Sequence, residues 1–319
     1  MIPKIIHWCW FGKEIPAEIQ NYVDGWKKLM PDYEIIRWNA DNFDIHSVKW
    51  VEQSVQAEKW AFAADYIRLW AVYNYGGIYL DSDVEVIKPF DDLLELPYFL
   101  CLEKFPGNFI EMATFGAQKE CFWLKDCLDY YKDRDFIKAE NEFDCLILPI
   151  IATHILRKKY GREGIKVFTP DYFSPKQNIT KEISITENTY SIHHFEGSWL
   201  QDKKIVPYSK IHIDENCIYS KSLYIWSAGV EGKSTLARTK ENGWTIKGFL
   251  DIKAENGEYI FEGYNCIAPS KILEKPQRDF FIIISSRNFA HEIYKTLKSY
   301  GLEENKDFWS PIPGELIDY

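Results

Sequence analysis

The sequence predicts an α/β protein in two parts, and three observations carry that expectation. Strand-like and helix-like stretches alternate from the start of the chain, an almost wholly apolar helix lies between two of the early strands, and beyond about residue 205 a second strand and helix alternation begins. Such alternation builds βαβ units around a largely parallel sheet. The 319 residues, 46% of them hydrophobic, supply enough apolar material for one large or two medium cores. The expected division is 1–210 and 211–319.

Taken in order, Lys4 to Cys9 reads as a strand, Ile15 to Leu29 as a helix and Tyr33 to Trp38 as a second strand. Glu58 to Tyr73 lacks Gly and Pro and is rich in Ala, Leu and long side chains, so it reads as a helix. Most of its faces are apolar, which places it in a core. Asp65 and Arg68 stand three apart on it and share one face. Buried charges must be compensated, so the two either pair internally or hold a polar ligand, Asp65 a hydroxyl and Arg68 a phosphate or sugar oxygen.

Tyr75 to Asp83 reads Tyr-Gly-Gly-Ile-Tyr-Leu-Asp-Ser-Asp. A short strand, Ile78 to Leu80, runs into two carboxylates spaced i and i+2, which strand geometry would turn to one side. Two hard oxygen ligands suit Mg²⁺ or Mn²⁺ with substrate phosphates completing the shell. Gly76 and Gly77 would let the backbone turn and approach a ligand. The competing reading is an exposed turn, since Asp and Ser are ordinary turn residues.

Ala64-Asp65-Tyr66-Ile67-Arg68 followed by Tyr75 to Asp83 resembles the signature of glycosyltransferase family 32, a DXD sugar-binding family that includes bacterial capsular polysaccharide enzymes and yeast mannosyltransferases. The opening Ile2 to Gly12 resembles that family's first strand, and Tyr190-Ser191-Ile192-His193-His194-Phe195-Glu196-Gly197-Ser198-Trp199 its closing motif. The resemblance implies a GT-A fold, a nucleotide-sugar donor, a divalent metal and retention of anomeric configuration. On it, Asp65, Arg68, Asp81 and Asp83 are the expected catalytic residues. Trp10, Asn42, Tyr79, Ser198 and Trp199 are the expected donor contacts, with Trp10 stacking on the base, and Asp81, Asp83 and His193 are the expected metal ligands. His193 and His194 point oppositely on an extended chain, so one of them faces the metal, and the resemblance favours His193.

The activity this implies is metal-dependent transfer of a sugar from a nucleoside diphosphate sugar, UDP-linked in our reading, to a hydroxyl of a capsular or cell-surface polysaccharide or a lipid-linked oligosaccharide. No residue stands out as a covalent nucleophile, which favours front-face transfer. A metal-dependent nucleotide-sugar hydrolase and a non-catalytic nucleotide-sugar-binding protein are the alternatives. The net charge of −10 argues against a nucleic-acid groove. No apolar run reaches the roughly 18 residues of a membrane span. The expected setting is cytoplasmic, with peripheral contact to a membrane assembly. The seven Cys form no CxxC pair and read as reduced thiols. Twelve Trp and twenty Tyr are a mild hint of sugar platforms.

In the second part, Ser222 to Trp226, Trp244 to Asp251 and Phe280 to Ile284 read as strands, with a helix running to about Glu241. Ser227-Ala228-Gly229-Val230-Glu231-Gly232 approximates a dinucleotide-binding turn, and Asp251 lies where a ribose-binding acid would sit. Ser227 replaces the first glycine of that pattern. The segment resembles small Rossmann-like domains appended to polysaccharide-synthesis enzymes, which leaves open nucleotide binding or an assembly and regulatory role.

Overall fold

Apolar and β-branched residues with no internal Gly or Pro make β1 (Ile5–Cys9), and Pro16, which fixes its own φ, starts α1 at Ala17 rather than at Ile15 (Ala17–Leu29). The computed structural model describes the chain apart from residues 13, 104–108, 141, 162, 178–180, 197–212, 214, 219, 287–288 and 318–319. The chain divides into two compact units, Met1–Pro207 and Tyr208–Tyr319. Each mixes strands with helices, so the protein is α/β.

In the first unit, β2 (Glu34–Trp38), α2 (Lys49–Gln56) and α3 (Trp60–Tyr75) lead into β3 (Gly77–Leu80) and β4 (Val84–Val86). Then follow β5 (Tyr98–Phe99), β6 (Thr114–Ala117), α4 (Phe122–Tyr130), β7 (Ile137–Ala139), β8 (Glu142–Phe143), α5 (Leu148–Tyr160) and β9 (Ser191–His193). The main sheet has the order β2-β1-β3-β6-β5. Pairing is parallel across β2, β1 and β3 but antiparallel from β3 to β6 and from β6 to β5. The expected parallel sheet is therefore half of what forms, because no helical crossover precedes β5 or β6. The helices expected from Glu120 and Asp144 start later. Glu120 takes a positive φ of 59°, and Asp144 instead pairs with Arg134 and Lys138.

Gly76 and Gly77 have φ values of 69° and 109°. A Cβ on Gly77 would stand 2.6 Å from the Ile5 carbonyl oxygen, and one on Gly76 2.8 Å from Pro3. The pair thus serves the close approach of β3 to the start of β1, not approach to a ligand. Tryptophan use is also structural. Trp8, Trp26, Trp38, Trp50 and Trp123 are buried, and the indoles of Trp26 and Trp50 donate to the carbonyls of Val84 and Phe62.

The second unit holds α6 (Glu215–Ile218), β10 (Ser222–Trp226), α7 (Val230–Glu241), β11 (Ile246–Leu250), β12 (Tyr259–Phe261) and β13 (Tyr264–Ile267). It continues with α8 (Ser270–Leu273), β14 (Phe280–Ile284), α9 (Ala290–Ser299), β15 (Phe308–Trp309) and α10 (Gly314–Ile317). The sheet order is β12-β13-β11-β10-β14-β15, parallel except at β12. Every residue of β14 is buried, as a strand covered on both faces requires. Among the described residues no helix is long and apolar enough to cross a membrane. The seven Cys are free thiols.

Candidate active site at the end of the third strand

β3 stops at Leu80, and Asp81 to Asp83 form a turn closed by the Val84 N–H on the Asp81 carbonyl at 3.1 Å. The turn, rather than strand alternation, brings the two carboxylates together. His193 arrives from far along the chain through antiparallel pairing of β4 with β9, in which Val84 faces His193. Ligand atoms of Asp81, Asp83 and His193 lie within 4.8 Å of one another. His194 turns away, with its Nε2 2.9 Å from Glu85 Oε2 and its ring stacked on Tyr22.

Each carboxylate is held differently. Asp81 Oδ1 accepts the Tyr79 hydroxyl at 2.9 Å and Oδ2 accepts Arg68 Nη1 at 3.1 Å. Asp83 Oδ1 lies 3.6 Å from His193 Nε2, and its Oδ2 accepts the Glu196 N–H at 3.0 Å. Burial raises the Asp81 carboxyl above its ordinary range despite the Arg68 charge. Asp83 feels the same burial, but the His193 charge and hydrogen bonding from His193 and the Glu196 N–H outweigh it and hold the group well below its ordinary range. His193 is itself desolvated, yet Asp83 and Glu111 raise it.

Arg68 links this centre to α3. Its Nη2 lies 3.1 Å from Asp65 Oδ1, its Nη1 also donates to the Met112 carbonyl, and its guanidinium sits 4.7 Å from the Tyr79 ring centre. Asp65 Oδ2 accepts the Leu148 N–H at 3.3 Å, and burial pushes its carboxyl up to about 6 against the pull of Arg68. Asp65, Arg68 and Asp81 therefore form one chain of alternating charge, buried at Asp65 and Arg68 and half-buried at Asp81, and it includes the internal pairing that the helix spacing allowed.

The expected donor contacts fare unevenly. Trp10 follows β1, half-buried, with its indole N–H on the Glu14 carbonyl at 3.1 Å. Tyr79 is buried, stacked on Phe115, and donates its hydroxyl to Asp81, so it braces that carboxylate. Asn42 folds back on its own turn, accepting from the Asn39 N–H and donating to the Arg37 carbonyl. Ser198 and Trp199 lie outside the described residues. In the second unit, Asp251 spends its carboxylate on the N–H groups of Ala228 and Lys253, both at 2.9 Å, where a ribose-binding acid would be open. Sequence reasoning missed Glu111 and Glu103. The sole signal for Glu111 was a carboxylate inside the apolar run from Phe109 to Phe115. Glu103 is pushed up to about 8 by desolvation and by the charge of Glu111.

Two carboxylates and an imidazole are a donor set that could hold a divalent cation. Residues 16–100 match the family model described as the glycosyltransferase sugar-binding region containing DXD motif. The chain is similar to the mannosyl phosphorylinositol ceramide synthase SUR1 of Saccharomyces cerevisiae, 34% identical over 67% of this chain and 56% of that one. It is also similar to the inositol phosphoceramide mannosyltransferase 3 of Schizosaccharomyces pombe, 35% identical over 30% of this chain and 28% of that one. The chain thus spans less than two thirds of either relative's length. A solved structure titled PaToxG Glycosyltransferase shares 20% identity over 50% of this chain and 70% of that one, with a TM-score of 0.40, a level that carries no assignment. Asp81 and Asp83 of the candidate site fall inside the residues that match this DXD family model, and His193 lies beyond them in sequence.

Proposed function

We propose that the protein transfers a sugar from a nucleoside diphosphate sugar to an acceptor hydroxyl, with a divalent cation held by Asp83, His193 and Asp81. The observation that carries this reading is the convergence of those three groups inside the matched DXD region and its β9 partner. When bound, the cation would offset charge on the departing diphosphate. Arg68 fixes the Asp81 carboxylate and adds positive charge behind it. Trp10, on the loop after β1, supplies a ring for the nucleotide base. In the front-face route, the bond from the anomeric carbon to the phosphate oxygen breaks as the bond to the acceptor oxygen forms on the same face. The acceptor proton passes to the departing phosphate oxygen.

The acceptor we propose is a hydroxyl on a lipid-borne headgroup or saccharide, presented to a cytoplasmic protein at a membrane surface. The two relatives are named for mannosyl transfer to inositol phosphoceramide, which makes mannose the first sugar to test and gives a capsular acceptor no support. The second unit we read as an assembly or regulatory module, because Asp251 is already occupied by backbone donors. The test is a screen of UDP- and GDP-sugars for Mn²⁺-dependent release of the nucleoside diphosphate, with and without lipid acceptors. Release that rises with acceptor and falls at least 100-fold in a folded Asp83→Asn variant is expected. Acceptor-independent release would favour a hydrolase, and near-normal turnover of the variant would remove the metal assignment.

A further inference from the structure

Resting on the metal-centred reading above, we propose that Glu111 is the positioning residue for His193, fixing which imidazole nitrogen faces Asp81 and Asp83. The Glu111 side chain is fully buried, and its two oxygens accept the N–H groups of Ala113 and Thr114, each at 2.8 Å. That same backbone holds the centre itself, since Ala113 accepts the Asp81 N–H and Thr114 pairs with Leu80. Glu111 is therefore immobile relative to Asp81. Its Oε1 lies 3.1 Å from His193 Nδ1, and the opposite ring nitrogen lies 3.6 Å from Asp83 Oδ1. The Phe195 ring sits 3.9 Å from the imidazole between ring centres.

Nδ1 is buried, and Glu111 Oε1 at 3.1 Å is the acceptor it faces, although the two fall short of hydrogen-bond alignment. With a cation bound, a carboxylate facing Nδ1 would keep the proton there and leave the Nε2 lone pair to the cation. Beside the two backbone N–H groups, His193 Nδ1 is the side-chain nitrogen within reach of Glu111. The competing account is that Glu111 only braces the turn at 111–114. The two accounts part in a double-mutant cycle.

Mn²⁺ binding to the full chain is measured by electron paramagnetic resonance for the native protein, Glu111→Gln, His193→Ala and the double variant. Glu111→Gln should weaken Mn²⁺ binding about 10- to 100-fold, as loss of a carboxylate behind a ligating histidine does. In the His193→Ala background the same change should have no further effect. Equal losses in both backgrounds, or none in either, would overturn the proposal. No Mn²⁺ binding by the native chain would instead remove the metal reading beneath it, and the proposal with it. Should Glu111→Gln fail to fold, ¹⁵N spectra of the native imidazoles with Mg²⁺ decide. A protonated Nδ1 and bare Nε2 at His193 are expected, and an Nε2–H tautomer would refute the assignment.

Discussion

The two carboxylate-bearing strand ends, one in each unit, differ in what answers their charge. At the end of β3, Asp81 and Asp83 are met by side chains, namely Arg68, Tyr79 and His193, with only Glu196 contributing backbone. At the end of β11, Asp251 is met by two backbone N–H groups, that of Lys253 in its own turn and that of Ala228 on the loop after β10. Side-chain partners gathered from α3, β3 and β9 leave unshared oxygen lone pairs converging on one point. Backbone partners instead take one oxygen each of the Asp251 carboxylate. The lesson is that a carboxylate after a parallel strand marks a site only when distant side chains converge on it.

The most damaging way to break the first arrangement is to remove Arg68. Arg68→Met keeps length and apolar stem but leaves Asp65, buried, and Asp81, half-buried, without their shared cation. Removing one partner of a buried pair typically costs about 3–5 kcal/mol, so the first unit should lose that much in a urea denaturation series. A folded Arg68→Met protein of native stability would show that water already satisfies both aspartates. The equivalent loss should not arise at Asp251, which faces no side-chain cation in its hydrogen bonds.

Acid separates the units at somewhat smaller cost. His7 donates from Nε2 to the Gly76 carbonyl and accepts the Trp38 indole N–H on Nδ1, so a second proton has no place to go. Burial lowers its pKa from 6.5 to about 4. A base lowered on folding contributes stability above its unfolded value and loses it as the pH falls through the folded one. The first unit should therefore weaken by up to about 3 kcal/mol between pH 6.5 and 4. Hydrogen exchange followed by mass spectrometry along a pH series should show β1 and β2 opening before β10 and β14. His7→Gln, which retains a donor and an acceptor, should flatten that slope, and an unchanged slope would assign the acid loss to the carboxylates.

How far the chain could be read before folding follows the same divide between local and distant contacts. Asp65, Arg68, Asp81 and Asp83 stood out because charge inside an apolar helix or at a strand end is visible within nine residues of text. The strands of both units showed for a similar reason, since runs such as Phe280 to Ile284 contain little else. The antiparallel pairing of β6 did not show, because register between strands more than thirty residues apart leaves no local trace. Nor did Glu111, which becomes informative only when β9 delivers His193 to it. The partners of Tyr79 and Asn42 did not show either, because side-chain direction is not written in residue type: one donates to Asp81, the other to the Arg37 carbonyl.

The smallest effect sharpens the comparison most, because it asks the second unit directly. Asp251→Asn leaves one carbonyl oxygen for two N–H donors, Ala228 and Lys253, and sets an amide against one of them. The carboxylate also holds the entrance to α7, where a Cβ on Gly232 would fall 2.1 Å from the Ser227 oxygen, so the loop has little room to rearrange. Losing one charge-assisted bond in this setting should cost about 1–2 kcal/mol of stability in the second unit. If Asp251 is a loop-closing residue, UDP and NAD affinities measured by calorimetry on the full chain should not change with the substitution. A tenfold loss of affinity for either nucleotide would mean that the carboxylate releases its backbone donors to take a ribose. The second unit would then be a binding site in its own right, and the contrast between the two strand ends would fail.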